Sequence, residues 1–338
     1  MRLGVLGAGR WGPNLVRTFM TELGSEVVTV CDLSPERREL IAGHYPSIAV
    51  AADPEAVLAD PSLDAVVVAT PTQSHYELTR RALLAGKDVL VEKPLCRTVA
   101  EADELLDLAR RRERVLFTGH VFLYNQAVAE LKRRMLDAAM GDVYYVHARR
   151  TNLGPIRSDV HAGWDLAAHD VSVFLYLKET LPAEVSAVGQ DYVRSGVPDV
   201  VFATLFFADG TLAHLHCSWL DPQKIRLLTV VGQHQMLVFD DMNLVEPLRI
   251  YHKGFDRVPP PGELIDSFGS FRVQLREGDV VIPSISTGEP LRRECRAFLA
   301  AVRERSKPLA DGELGRDVVR VLAALDRSMA AGSRRVTV

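Results

Sequence analysis

Residues 2–12 read RLGVLGAGRWG, and this stretch decides the fold of the first part of the chain. Its apolar beginning predicts a short β-strand, and Gly7, Gly9 and Gly12 follow with the spacing of a glycine-rich turn. The first glycine permits a tight bend, the second lets the backbone approach a pyrophosphate, and the third lets helix and strand pack closely. Apolar residues then recur at helical spacing, so the turn precedes a helix whose amino end can hold phosphate. These features favour a dinucleotide-binding turn over a purely structural one.

An acidic residue follows the second predicted strand, which covers Glu26 to Cys31 and is succeeded by Asp32. A carboxylate roughly 20 residues beyond the glycines is placed to accept hydrogen bonds from the adenosine ribose of a dinucleotide. Its charge repels a 2′-phosphate, so we expect NAD to bind in preference to NADP. Arg37 and Arg38 are close in sequence and are the residues that would offset this preference.

Strands and helices alternate up to Gly119. The run from Ala65 to Ala69 is continuously apolar, as in strands that are buried on both faces of a parallel sheet. A later apolar strand leads into Glu92-Lys93-Pro94, where the proline stiffens the turn that holds the lysine. The alternation predicts an α/β fold with a doubly wound parallel sheet, and ligands bind such sheets at the carboxyl ends of the strands.

The pattern changes after Gly119, where we place a boundary between a dinucleotide-binding domain (residues 1–119) and a substrate-binding domain (residues 120–338). Successive predicted strands with hairpin turns follow, which indicates an antiparallel sheet. Residues 164–177 predict a single helix. Residues 255–286, which include three consecutive prolines, predict an irregular excursion.

Composition excludes several classes of function. The 338 residues, 47% hydrophobic and 25% charged, describe a globular protein of about two domains. A net charge of −4 provides no basic field for nucleic acid. No apolar run is close to the length of about 20 residues that is needed to span a bilayer. The beginning of the chain does not resemble a signal peptide. Four scattered cysteines predict reduced thiols in a cytoplasm and no zinc site.

Asp165 and His169 lie four residues apart in a predicted helix and therefore share one of its faces. Asp165 alone would also suit a helix cap, and His169 alone would also suit a core position. His214 and His216 share a strand face, but no third ligand follows at a suitable spacing, so no metal site is predicted. The candidates for reading a substrate are polar residues of mixed charge, which leave the charge of that substrate open: Tyr124, Asn125, Arg149, Asn152, Arg157, Asp159 and His161.

The order of these motifs resembles the glucose–fructose oxidoreductase/inositol dehydrogenase family (Gfo/Idh/MocA). The resemblance covers the whole first domain, and its most specific part is AGKDVLVEKP at residues 85–94. It implies a Rossmann domain followed by a domain with a large, mostly antiparallel sheet, through which a homodimer or homotetramer would form. It also implies NAD as cofactor, bound by Gly7, Gly9, Arg10, Trp11, Gly12, Asp32, Thr70, Pro71, His75, Glu92 and Lys93.

The resemblance further implies a catalytic trio, because the family's lysine of EKP acts with an aspartate and a histidine of a D-x-x-x-H helix. Lys93 and the sequence DLAAH, residues 165–169, match these elements. Oxidation of a secondary alcohol needs a base for the hydroxyl proton. Histidine has an ordinary pKa of about 6.5, whereas that of lysine is about 10.4 and must be lowered first. His169 is therefore our predicted base, Lys93 the predicted stabiliser of the alkoxide, and Asp165 the residue that holds one of them.

The expected activity is oxidation of a ring hydroxyl to a ketone in a sugar, with amino-sugar glycosides of the aminoglycoside type or nucleotide sugars as leading substrates. Residues 164–170 and 294–299 resemble sugar-modifying members of the family, some of which supply ketones for later transamination. The alternatives are a keto-sugar reductase, a cyclitol (inositol) dehydrogenase and a non-catalytic NAD-binding protein.

Overall fold

The structure is a computed structural model that describes residues 1–22, 25–157, 159–255, 275–276, 278–286 and 288–338. Two compact units are interleaved along the chain. The first unit contains Met1–Asn125, Arg157–Leu175 and Gly288–Ala323, and the second contains Gln126–Ile156, Tyr176–Thr287 and Ala324–Val338. A single boundary at Gly119 does not describe this interleaving, because later segments return to the first unit. The predicted excursion over residues 255–286 lies largely outside the described residues.

The first unit contains a six-stranded sheet in which every pairing is parallel. Its order is β3-β2-β1-β4-β5-β6, which is the order of doubly wound nucleotide-binding folds. The predicted fold class of this part is therefore confirmed. The strands are β1 (Arg2–Leu6), β2 (Glu26–Cys31), β3 (Ala49–Ala51), β4 (Ala65–Val68), β5 (Asp88–Glu92) and β6 (Leu116–Gly119).

The central strands form because their side chains are apolar on both faces. All of β4 and the first four residues of β5 are buried. This burial explains why the continuous apolar runs in the sequence predict these strands well. Helices connect and follow the strands: α1 (Gly12–Thr21), α2 (Pro35–His44), α3 (Glu55–Leu58), α4 (His75–Leu84), α5 (Val99–Arg111), α6 (Gln126–Met135), α7 (Ala168–Lys178), α8 (Pro290–Glu304) and α9 (Gly312–Ala330).

The second unit contains a nine-stranded, mostly antiparallel sheet of order β16-β13-β12-β11-β7-β10-β9-β8-β17. Among its described strands, only β7 and β10 pair in parallel. The predicted antiparallel sheet is thus confirmed. Its strands, with the two-stranded β14–β15 ribbon, are β7 (Val143–Leu153), β8 (Glu184–Gln190), β9 (Val200–Phe206), β10 (Leu212–Ser218), β11 (Leu220–Gly232), β12 (Met236–Asp240), β13 (Leu248–Tyr251), β14 (Gly254–Phe255), β15 (Leu275–Arg276), β16 (Val280–Val281) and β17 (Val336–Thr337).

One helix prediction is wrong in detail. The sequence predicts one α-helix over residues 164–177, but the chain forms a π-helical turn at Gly163–Ala167 before α7 begins. Asp165 lies inside this turn, and the N-cap is Ala162, so the alternative role of Asp165 as a helix cap does not apply. Short π segments occur often at functional sites. No helix in the described part of the chain is long and apolar enough to cross a membrane.

Candidate active site

The glycine turn after β1 is shaped by close backbone contacts. Gly7 has a φ of 100°, and a Cβ on it would lie 2.6 Å from the carbonyl oxygen of Ala69. A Cβ on Gly12 would lie 2.1 Å from the carbonyl oxygen of Gly7. A Cβ on Gly9, in contrast, would meet no atom within 4 Å. The first and third glycines are therefore required by the protein itself, whereas the second leaves an open approach to the backbone.

The amino end of α1 follows closely after the open position at Gly9. No side chain among the described residues caps it, and no acidic residue lies in its first turn, whereas α2 is capped by Ser34. An uncapped helix amino end attracts an anionic group through its dipole and its backbone N–H groups. Together with the open approach at Gly9, this is the feature of the structure that fits a dinucleotide pyrophosphate.

Asp32 ties the glycine turn to the end of β2. Its Oδ2 accepts the backbone N–H of Ala8 at 2.6 Å, and its Oδ1 accepts that of Ser34 at 2.9 Å. Arg38 donates to the backbone carbonyls of Asp32 and Leu33, at 2.7 and 3.0 Å, and not to the carboxylate. The negative charge at the predicted ribose position is therefore not neutralised by a direct Arg38 contact.

His75 links two segments at the carboxyl ends of β4 and β5. Its Nδ1 lies 2.8 Å from the carbonyl oxygen of Pro94, and its Nε2 lies 2.9 Å from that of Thr70. Burial lowers the pKa of His75, and a neutral imidazole donates to only one of these carbonyls. His75 therefore supports the backbone that carries Lys93, which differs from the direct cofactor contact that the resemblance implies.

Glu92 precedes Lys93 and has a perturbed carboxyl group. Burial raises its pKa to about 7. The charge of Lys93 and a hydrogen bond from the Trp11 side chain act in the opposite direction and lower this pKa by less. Its Oε1 is buried and has no hydrogen-bond partner among the described residues. Trp11 and Glu92, both predicted to bind the cofactor, are thus in contact beside the glycine turn.

Lys93 and Asp165 are brought together over 72 residues of sequence. The Lys93 Nζ donates to the backbone carbonyl of Asp165 at 2.8 Å and to its Oδ1 at 3.3 Å. The contact with the carbonyl lies within the π-helical turn, where the regular pattern of helix hydrogen bonds is changed. The lysine side chain is 14% exposed, so the ion pair is partly shielded from water.

His169 follows one turn after Asp165, in the first turn of α7. Its ring meets that of Phe122 edge-on, with 5.0 Å between the ring centroids. This packing orients the imidazole, and the D-x-x-x-H spacing keeps it on the face of the helix that carries Asp165. Lys93, Asp165 and His169 all belong to the first compact unit.

Arg157 joins the same site from the segment before the π-helical turn. Its Nη1 donates to Asp165 Oδ1 at 3.0 Å, and its Nε and Nη2 donate to the two oxygens of Asp159 at 2.9 and 2.6 Å. His161 also belongs to this segment, where its Nδ1 accepts the N–H of Gly163 at 3.1 Å. Three of the predicted substrate residues are therefore near Asp165 in the chain or in contact with it.

The other predicted substrate residues have different surroundings. Tyr124 stacks on Phe117, and its hydroxyl accepts the N–H of Ala310 at 3.3 Å, which is a packing role. Asn125 is the last residue of the first of the three segments that make up the first unit. Arg149 and Asn152 lie on β7 in the second unit, where Arg149 pairs with Asp221 at 2.7 Å.

A buried histidine lies at the carboxyl end of β6. His120 is fully buried, and neither ring nitrogen has a hydrogen-bond partner in the described part of the chain. Burial, and secondarily the charge of Lys93, lowers its pKa to about 3. His120 is therefore neutral near pH 7, and its burial makes it a weak base.

A buried carboxyl pair was missed by the sequence analysis. Glu294 on α8 is fully buried, and neither of its oxygens has a partner among the described residues. Burial, and then the charge of Glu92, raises its pKa well above the ordinary value. The signal was present in the sequence, because Glu294 falls at helical spacing between the buried Leu291 and Phe298.

We expect Glu294→Gln to raise the melting temperature by a few degrees at pH 7. A carboxyl group with a raised folded-state pKa keeps its proton longer than the unfolded chain does, so stability falls as pH rises through this range. For Glu294 the loss begins near its ordinary pKa of 4.5 and continues above it, and each pH unit corresponds to about 1.4 kcal/mol. The variant should therefore also flatten the loss of stability over that range.

Thermal unfolding measured from pH 4.5 to 8 tests this expectation, with Glu304→Gln as the control because Glu304 is exposed on the same helix. A lower melting temperature for Glu294→Gln at pH 7 would show that a favourable interaction holds the ionised form.

The described residues contain no group of three His, Cys, Asp or Glu side chains that would hold a metal ion. The site instead combines an uncapped helix amino end, an acidic residue after β2 and a lysine held beside a histidine-bearing helix. This set can hold a dinucleotide, and it can bind and deprotonate a hydroxyl group next to it.

Family models match both parts of the chain. Residues 1–120 match the GFO_IDH_MocA model, described as an oxidoreductase family with an NAD-binding Rossmann fold, and residues 128–238 match the GFO/IDH/MocA C-terminal domain. The chain is 30% identical to a UDP-N-acetylglucosamine 3-dehydrogenase of Acidithiobacillus ferrooxidans, over 96% of this chain and 95% of that protein. It is 31% identical to a 1,5-anhydro-D-fructose reductase of Ensifer adhaerens, over 93% and 92% of the two chains.

Solved structures show the same fold. The A. ferrooxidans UDP-N-acetylglucosamine 3-dehydrogenase superposes with a TM-score of 0.81 over 98% of each chain, at 28% identity. GenD2 from gentamicin A biosynthesis, solved in complex with NAD, superposes with a TM-score of 0.82 over 100% of this chain and 96% of that chain. At 22% identity this second likeness concerns the fold alone. NAD is the cofactor of the Rossmann domain described above.

Proposed function

Because this chain belongs to the GFO/IDH/MocA family of NAD-binding oxidoreductases, we propose that it oxidises a secondary ring hydroxyl of a sugar or amino-sugar glycoside to a ketone. The observation that carries this proposal is the contact of Lys93 with Asp165, on the helical segment that also bears His169. Bound NAD supplies the hydride acceptor. The protein must then supply the proton acceptor and the orientation.

The three side chains divide this work. His169 takes the hydroxyl proton, because an imidazole changes protonation near neutral pH. The Lys93 ammonium donates a hydrogen bond to the same oxygen as negative charge develops on it. Asp165 holds Lys93 through its carboxylate and its backbone carbonyl, at 3.3 and 2.8 Å. The Rossmann part holds NAD through the turn of Gly7, Gly9 and Gly12, the amino end of α1 and Asp32.

The substrate class follows from the relatives and from the polar site. The similarity to a UDP-N-acetylglucosamine 3-dehydrogenase favours a nucleotide sugar. An aminoglycoside precursor is the second option, because residues 164–170 and 294–299 resemble sugar-modifying members of the family. A ketone formed on such a ring is the functional group that a transaminase requires, so we place the reaction ahead of transamination in a biosynthetic pathway. Directed hydrogen bonds from residues such as Arg157, Asp159 and His161 suit vicinal hydroxyls better than an aliphatic alcohol.

A second candidate is the reverse reaction on a keto-sugar, which is supported by the similarity to 1,5-anhydro-D-fructose reductase. A cyclitol is the alternative ring substrate, since a scyllo-inositol 2-dehydrogenase of Bacillus subtilis is 30% identical over 56% of this chain. A non-catalytic NAD-binding protein is the third candidate. It is disfavoured by the presence of Lys93, Asp165 and His169 together.

We expect NADH to form when the protein is given NAD and a panel of nucleotide sugars, amino-sugar glycosides and inositols. Titration should also show tighter binding of NAD than of NADP, because the Asp32 carboxylate repels a 2′-phosphate. Absorbance at 340 nm measures turnover, and calorimetry measures the two dissociation constants. Activity confined to aliphatic alcohols or 2-hydroxy acids would contradict the proposed substrate. Equal or tighter NADP binding would show that Arg37 or Arg38 overrides Asp32.

We also propose a cytoplasmic homodimer or homotetramer that associates through the nine-stranded sheet. Tyr145, Phe202 and Leu212 lie on one face of this sheet and are 44%, 39% and 41% exposed. Large apolar side chains on a sheet face are typical of a protein interface. All four cysteines are buried and form no disulfide, which suits a reducing compartment. Light scattering in solution distinguishes the monomer, dimer and tetramer.

A further inference from the structure

Four charged side chains of the first compact unit form one connected group, which we call the charge quartet: Lys93, Arg157, Asp159 and Asp165. Two cations and two carboxylates balance within it. The Oδ1 atom of Asp165 is shared, because it accepts from Lys93 Nζ at 3.3 Å and from Arg157 Nη1 at 3.0 Å. Lys93 and Arg157 therefore compete for the same carboxylate oxygen.

Arg157 is held on two sides. Its Nε and Nη2 donate to both oxygens of Asp159, and its Nη1 donates to Asp165. This bidentate geometry fixes the plane of the guanidinium group. Burial alone would raise the pKa of Asp159, but the hydrogen bonds and charge of Arg157 hold it below its usual value. A guanidinium engaged by two carboxylates is poorly suited to receive an anionic group of a substrate.

We infer that Arg157 and Asp159 are positioning residues, which set the charge around Lys93 and thereby how firmly Asp165 holds its ammonium group. The inference rests on the role of Lys93 in the proposed function and deepens it. Without Arg157, two carboxylates face a single ammonium and hold it more strongly. Without Asp159, the Arg157 charge is left uncompensated beside Lys93 and repels it. In a partly buried site such changes are large, because Coulomb interactions are weakly screened there.

Other titratable groups also act on Lys93. Glu92 precedes it in the chain, and the charge of Lys93 in turn acts on Glu92 and on the buried His75 and His120. His169 lies one turn beyond Asp165. These side chains are all still present in variants of Arg157 and Asp159. Because the charge of Arg157 also acts on His75, the comparison of each single variant with the double variant is what reports the charge quartet.

The test is competitive acetylation of the full-length protein with trace acetic anhydride from pH 7 to 11, without substrate. Mass spectrometry of the Lys93 peptide gives the extent of labelling at each pH, relative to the exposed Lys224 and Lys253. The variants are Arg157→Gln, Asp159→Asn and the double variant R157Q/D159N. Arg249→Gln is the matched control, since Arg249 pairs with a nearby acidic residue, Glu246, in the second unit.

We expect Arg157→Gln to move the midpoint of Lys93 labelling to higher pH by roughly 1 unit, the usual effect of one close charge. Asp159→Asn should move it to lower pH, and the double variant should return it towards the original midpoint. The control should leave it unchanged. Shifts of both single variants in one direction, or no shift in folded variants, would overturn the inference.

The double variant restores the charge balance, so it separates an electrostatic effect from a loss of structure. If R157Q unfolds, its melting curve shows this, and D159N with the double variant still decides the outcome. The labelling needs no turnover. If the midpoint of Lys93 labelling shifts as expected but the protein has no dehydrogenase activity, only the proposed function is refuted. If the variants are active but their labelling midpoint does not shift, only this inference is refuted.

Discussion

A His169→Asn variant is expected to lose roughly 10²- to 10⁴-fold in kcat, which is the usual contribution of a positioned general base. Asparagine is similar in shape to part of the imidazole, but it does not accept a proton in this pH range. The acid limb of the kcat profile should therefore disappear, because the group whose deprotonation it reports has been removed. Steady-state rates from pH 5 to 10 measure both effects.

NAD affinity should stay the same in this variant. The contacts that shape the cofactor site involve the glycine turn, Asp32 and the segments held by His75, and none of them includes His169. The linear division at Gly119 assigned His169 to the second domain, whereas contacts place it in the first compact unit. The expectation therefore rests on these contacts and not on separation between domains. Calorimetric titration with NAD is the check.

Lys93→Met is the companion variant that separates the two roles. It should also slow turnover, because the ammonium group that meets the developing alkoxide is lost. Its acid limb should remain, since His169 is still present to titrate. The assignment of base and stabiliser would be reversed if the acid limb vanished with Lys93 and survived without His169.

The second large effect is expected at the glycine turn, where one alanine substitution should weaken NAD binding and another should lower the stability of the fold. Gly9→Ala should fold normally, since a Cβ there meets nothing within 4 Å, but it should weaken NAD binding by roughly tenfold or more, equivalent to about 1.4 kcal/mol or more. Gly12→Ala should unfold at a lower temperature, because its Cβ would lie 2.1 Å from the carbonyl oxygen of Gly7. Backbone strain of this kind is among the few causes of severe destabilisation.

Thermal unfolding without cofactor and calorimetry with NAD separate the two expectations. Gly43→Ala is the control, because Gly43 lies on α2 and a Cβ at this position also meets no atom within 4 Å. Normal NAD binding by Gly9→Ala would mean that the pyrophosphate does not approach the backbone at this glycine. An unchanged melting temperature for Gly12→Ala would mean that the turn relaxes.

The sequence by itself determined the features that depend on local pattern. The apolar runs of β4 and β5 predict buried parallel strands because both of their faces are covered. The three glycines predict the turn after β1, because the need for a tight bend and close packing is local to the backbone. Hairpin turns predicted the antiparallel sheet for the same reason. The pairing of Lys93 with the D-x-x-x-H segment came from a family resemblance, since no local pattern contains it.

Only the tertiary structure decided how the charged groups meet. Lys93 and Asp165 are 72 residues apart, and a shared oxygen between Lys93 and Arg157 has no signature in sequence spacing. The π-helical turn at Gly163–Ala167 was likewise unpredicted, because it differs from an α-helix by hydrogen-bond register and not by composition. Glu294 carried a local signal on its helix, but its neighbour Glu92 lies on a distant strand. Long-range electrostatics depends on distances between segments, and these arise only when the chain is folded.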